Sequence, residues 1–127
     1  MKKMKNTLII HCIGKNDKIG IIYNGNFFKK HLNSIKHFEN LSSIILSLLN
    51  KNNIKIDDKF MVLVNKGPGS YSAIRISLSV AKGIKLAKKI ALFSYKNEDL
   101  SAFTKEKIEL MVEKKLIENK LLKPIYL

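Results

Sequence analysis

The sequence predicts an α/β fold around a mixed five-stranded sheet, and three observations predict it. Three short apolar runs follow one another near the N-terminus, and Asn24-Gly25, between the second and third, is a strong hairpin signal of the type I′ kind. Further on, the apolar run Phe60-Met61-Val62-Leu63-Val64 enters a glycine turn, Gly67-Pro68-Gly69-Ser70, which opens onto a long helical pattern. A last apolar run at 90–95 follows that helix, so strands and helices alternate as they do in sheets with crossover connections.

In order, residues 8–13 read as the first strand, stopped by Gly14-Lys15-Asn16-Asp17. Residues 18–23 and 26–32 complete an antiparallel meander. From Asn40, read as an N-cap, Leu41, Ile44, Ile45, Leu48 and Leu49 recur at helical spacing until Asn50-Lys51-Asn52-Asn53. The fourth strand spans 60–65, the second helix runs from the glycine corner to Lys88, and the fifth strand spans 90–95. This β-β-β-α-β-α-β order matches one lobe of the actin-like ATPase and ribonuclease H-like folds, an analogy at the level of fold alone. Beyond Tyr95 the composition becomes more charged. Thr104 to Lys120 reads as a helix with an imperfect stripe of Ile108, Met111, Val112, Lys115 and Leu116. Residues 1–95 are therefore expected to form the lobe, and 96–127 a C-terminal helical extension.

The 127 residues suit a single core. No run approaches the roughly 20 apolar residues that span a bilayer, so no membrane contact is expected. The basic start at residues 1–5 and the apolar run after it read as a buried strand, because 14–17 offers no small-residue cleavage pattern. A lone cysteine, Cys12, rules out an internal disulfide, and cytoplasmic residence is the expectation. The net charge of +14 invites a nucleic-acid reading, yet Arg75 is the one arginine among 24 basic residues. Lysine, asparagine and isoleucine share AT-rich codons, so a solvated lysine surface and weak nonspecific attraction to RNA both stay open.

Catalytic constellations do not emerge. His11 and Cys12 are adjacent on a strand and point to opposite faces, so they neither chelate one ion nor form a nucleophilic pair. His31 and His37 straddle a strand-to-helix junction, Ser70 has no evident base, and the carboxylates scatter over loops and the last helix. No metal, cofactor or catalytic residue is expected. At the corner, Gly67 and Gly69 can take positive φ, Pro68 stiffens the turn, and Ser70 or Ser72 can cap the helix. The loop lacks the Walker spacing and is not G-x-G-x-x-G. A structural strand-to-helix bend and a phosphate cradle both remain open on these residues.

The run Gly67-Pro68-Gly69-Ser70-Tyr71-Ser72-Ala73-Ile74-Arg75-Ile76-Ser77, with Ala81-Lys82-Gly83 after it, closely resembles the signature of the TsaB (YeaZ) family, where it reads roughly GPGSFTGLRIG and then AKGLA. His37-Phe38-Glu39 with Leu41, the strand at 89–94 and the terminal Pro124-Ile125-Tyr126-Leu127 fall in the family's order. The resemblance implies a pseudoenzyme-like subunit that binds and activates TsaD, which forms N6-threonylcarbamoyladenosine at position 37 of tRNAs reading ANN codons. The family usually has aspartate where this chain has His11, which argues against Mg²⁺-nucleotide hydrolysis here. The chain is short, and most of the family's second lobe would be absent.

The resemblance also implies partner docking through the two helices, here by Leu41, Ile45, Leu48, Ile74, Ser77, Leu78, Ala81 and Ile84. Homodimer formation through the same helices is an alternative, and tRNA contact would be indirect or weak. An arginine at position 81 is expected to abolish docking without unfolding the chain. Arg75 is read either as a planar hydrogen-bonding fork or as a salt bridge to Asp57, Asp58 or Glu39, and Tyr71 as a core plug. Two rivals stand beside this reading: a small nucleotide- or phosphate-handling enzyme using Gly67–Ser70, and a basic RNA-binding domain.

Overall fold

The computed structural model describes residues 4–32 and 40–119. His37, Phe38, Glu39 and the terminal 124–127 match lie outside the described residues. Strand β1 (Thr7–His11) pairs antiparallel with β2 (Lys18–Tyr23), which pairs antiparallel with β3 (Asn26–His31). On its other side β1 runs parallel to β4 (Met61–Asn65), and β4 parallel to β5 (Ala91–Tyr95), giving the order β3-β2-β1-β4-β5. This is the mixed five-stranded sheet expected, similar to one lobe of the actin-like and ribonuclease H-like fold. Asn24 and Gly25 both take positive φ, +50° and +84°, as a type I′ turn demands.

Every residue of β1 and β4 is buried, because the sheet is covered on both faces. Strand alternation sends Leu8, Ile10, Cys12, Val62 and Val64 to one face, beneath α1 (Leu41–Lys51) and α2 (Tyr71–Lys88). Ile9, Met61 and Leu63 go to the other face. There they meet Leu100, Phe103, Ile108 and Met111, from a short 3-10 turn (Asn97–Asp99), the loop after it and α3 (Lys105–Glu113).

Helix boundaries follow their caps. Ser70, in extended backbone, accepts from the Ala73 N–H at 3.5 Å and starts α2; Lys89, left-handed at φ +55°, ends it. Asn40 does stand at the N-cap of α1, but its side chain makes no cap hydrogen bond. The third helix is shorter than its periodicity suggests. Thr104 caps it, but Lys115 takes φ +57° and the Leu116 N–H bonds back to the Met111 carbonyl at 3.1 Å. The chain then returns to the sheet, where Glu118 forms an antiparallel bridge with Ser94 of β5.

Candidate functional site

Two glycine turns are welded together at the end of β1 and β4. Gly69 sits so close to the preceding loop that a Cβ would lie 2.5 Å from the Ile13 carbonyl oxygen, and one on Gly14 would lie 2.6 Å from the Ser70 Cβ. The Ser70 N–H donates to that same carbonyl at 2.8 Å. Gly67 takes φ +102° and the Gly67–Pro68 peptide is cis. Of the two glycines in the turn, Gly67 is thus needed for its dihedral and Gly69 for backbone approach. Asp17 closes the first loop by accepting the N–H groups of Ile13 and Gly14 at 2.9 and 3.0 Å. Burial raises its carboxyl above the usual range, and those bonds oppose the shift.

Beneath the corner lies a buried polar network. The Gly67 N–H donates to Asn65 Oδ1 at 2.8 Å, which turns the Asn65 amide nitrogen towards His11 Nδ1 at 3.1 Å and Asn97 Oδ1 at 3.1 Å. The Tyr95 hydroxyl lies 2.8 Å from the same His11 nitrogen. An acceptor is required at Nδ1, so His11 is neutral; burial, and then the Lys18 charge, lower its pKa to about 4. Tyr95, fully buried, is pushed well above the ordinary phenol range. His11 therefore ties three strand ends together where the family's pattern would have a carboxylate. Cys12 points to the opposite sheet face, as the alternation requires, and burial raises its thiol far above the reactive range.

A cleft of about 440 Å³ opens beside the corner, lined by Ile13, Gly14, Lys15, Pro68, Gly69, Ser70 and Asn97. Its backbone donors are largely engaged, since the N–H groups of Ile13, Gly14, Ser70 and Asn97 all bond within the chain. Among the described residues no group of three or more His, Cys, Asp or Glu could hold a metal ion. Arg75 does not reach Asp57 or Asp58. Its Nη1 donates to the Tyr71 hydroxyl at 3.0 Å one turn away, and the guanidinium stacks 5.8 Å from that ring. Tyr71 is 56% exposed and so is no core plug: as the first residue of α2 it projects outward beyond the Ser70 cap.

The docking residues expected from the sequence need a similar correction. Leu41, Ile45, Leu48, Ile74, Ser77, Leu78 and Ala81 are buried in the chain's own core, because the sheet takes the centre of each apolar stripe. Ser77 is fixed there by its hydroxyl, 2.8 Å from the Ala73 carbonyl oxygen and 3.1 Å from that of Cys12. An arginine at position 81 would meet packed atoms and unfold the protein rather than block a surface. Ile84, half-buried, remains on the open side.

What does lie open is the flank of the same two helices. A groove of about 480 Å³ runs between them, walled by Ser42, Leu46 and Leu49 of α1 and by Val80, Gly83 and Ile84 of α2. Leu46 is 57% exposed, and Leu86 on α2 is 77% exposed. Among the described residues, nothing outside the adjoining turns of its own helix lies within 4 Å of a Cβ built on Gly83. The sequence held two signals for this groove: Leu46 falls outside the apolar stripe of Leu41, Ile45, Leu48 and Leu49, and Gly83 interrupts a helical pattern that a larger residue would favour.

Residues 31–96 match the family described as TsaD: tRNA N6-adenosine threonylcarbamoyltransferase. The tRNA threonylcarbamoyladenosine biosynthesis protein TsaB of Buchnera aphidicola subsp. Baizongia pistaciae (strain Bp) is 41% identical over 46 residues, which are 36% of this chain and 21% of that protein. The YeaZ structure from Pseudomonas aeruginosa superimposes with a TM-score of 0.67 at 17% identity, over 77% of this chain and 46% of that one. A second structure, of a protein from Pseudomonas aeruginosa with similarity to peptidase YEAZ, gives 0.68 at 17% identity over 77% and 45%. The chain thus spans less than half the length of these relatives.

Proposed function

The chain belongs to the TsaB (YeaZ) family of tRNA threonylcarbamoyladenosine biosynthesis, and from that premise we propose that it is an accessory subunit that docks onto a TsaD-like transferase. Its side chains supply no covalent step. Docking uses the groove between α1 and α2, whose apolar walls lie open among the described residues. That groove is the observation that carries the reading, because an apolar concavity rimmed by polar residues is what an interface leaves on a free subunit. The corner at Gly67–Ser70 and the His11 network hold α2 at a fixed height over the sheet, and so set the groove's shape. Tyr71 and Arg75 cap the exposed end of the helix.

Capture of the TsaD-like protein from the same source tests this. The full chain should retain it, and Leu46→Glu, which alters an exposed side chain only, should lose it with circular dichroism unchanged. Undiminished capture by Leu46→Glu would rule the groove out.

A further inference from the structure

The groove lies in a helical layer that carries cations and no carboxylates. Lys51 on α1 and Arg75, Lys82, Lys85 and Lys88 on α2 are all exposed, and neither helix contains an aspartate or glutamate. Among the described residues, Asp57 and Asp58 are the acids nearest in sequence, beside the groove residue Ile56; Glu39, two residues before α1, lies outside them. Glu98, Asp99, Glu106, Glu109, Glu113 and Glu118 all sit on the segment that covers the opposite face of the sheet. The described residues are therefore polar across the sheet, basic on the groove side and mixed on the other.

Small residues line the α2 side of the groove. Ser79, Gly83 and Ala87 recur at every fourth position of α2, and a Cβ on Gly83 would meet nothing within 4 Å. A glycine there weakens the helix, and no contact among the described residues requires it. It leaves room for another helix to approach closely.

We infer, on the footing of the proposed partnership, that the groove's occupant is an aliphatic-striped helix of a different protein, flanked by carboxylates. It is not a second copy of this chain. Two copies docked through these helices would set five cations against five with no anion in either helix. RNA would satisfy the lysines but not the groove, whose walls are aliphatic and offer no ring on which a base could stack. An acid-flanked helix satisfies both features at once.

Two stapled helical peptides with the same leucine stripe, one flanked by glutamates and one by lysines, test this by fluorescence anisotropy on the full chain. The glutamate peptide should bind, weakening about tenfold between about 50 and about 500 mM NaCl, and the lysine peptide should not. Lys82→Glu with Lys85→Glu and Lys88→Glu should reverse that preference, and Gly83→Leu should block the groove with the fold retained. Equal binding of both peptides, displacement of the glutamate peptide by tRNA, or a wild-type dimer that Gly83→Leu disrupts would each overturn the inference. Capture of the TsaD-like protein separates the two claims. If the peptides behave as expected but that protein is not captured, the partnership fails and the acid-flanked occupant stands. If capture is indifferent to salt and to the lysine reversals, the partnership stands and the inference fails.

Discussion

Single residues divide this protein's glycines into those the fold needs and one it does not. Gly69→Ala would push a Cβ against the Ile13 backbone, where neither loop can yield without breaking the Ser70–Ile13 hydrogen bond. A loss of about 1–3 kcal/mol is expected. Gly83→Ala enters open space in a helix and should gain about 1 kcal/mol. Urea midpoints of the two variants check this contrast, and a destabilising Gly83→Ala would mean that the groove side of α2 is not open. His11 gives a second prediction at this scale. Its pKa of about 4 in the fold lies below its ordinary 6.5, so the unfolded chain binds more protons between those values. The stabilisation is fully present above pH 6.5 and is lost as pH falls towards 4, about 3 kcal/mol in all. Asp17, with its carboxyl raised, works in the opposite sense, so the readout is the difference between wild type and His11→Gln. That difference should shrink on acidification across this window, and a constant difference would refute the assignment. The corner was legible in the sequence because glycine and proline carry backbone information in their identity. The network was not, since nothing local links His11 to Asn65, Tyr95 and Asn97.

Whole elements were legible where caps and periodicity agree, as in α2, and less so where a distant contact decides. Both helices were readable as amphipathic, but period alone cannot tell the flank that meets the sheet from the one left in solvent. Seven of the eight expected docking residues therefore fall in the core. The early end of α3 has a similar origin: the stripe continues through Lys115 and Leu116, yet pairing of Glu118 with β5 draws the chain away. The Lys66 ammonium, which reaches the Glu118 carboxylate at 3.0 Å, reinforces that return. Because Ile108 is fully buried against residues of β1, β4 and β5, α3 is expected to unfold together with the lobe. Ile108→Ala should cost about 2–5 kcal/mol and shift a single transition. Tyrosine fluorescence and far-ultraviolet circular dichroism should give coincident urea curves; separated curves would make the C-terminal segment an independent unit.

At the scale of the molecule, the two faces of the sheet are finished differently, and that difference carries the functional reading. The face under α3 is sealed, with Phe103, Ile108 and Met111 buried over Ile9 and Leu63. The other face is sealed at its centre and open at the groove, where Leu46 and the Gly83 backbone meet solvent. Amide hydrogen exchange should register this asymmetry directly. If the TsaD-like protein docks in the groove as proposed, it would cover α1 and α2 beyond Ser77, so protection there should rise by about tenfold or more. The exposed face of α3 lies on the other side of the sheet from the groove, so its amides should stay unchanged. If protection rises on α3 or along the exposed edge of β3 instead, the partner docks elsewhere and the groove has another purpose. A uniform rise would indicate global stabilisation without a defined docking face. Only a change confined to the two groove helices agrees with a subunit whose uncovered surface is its means of assembly.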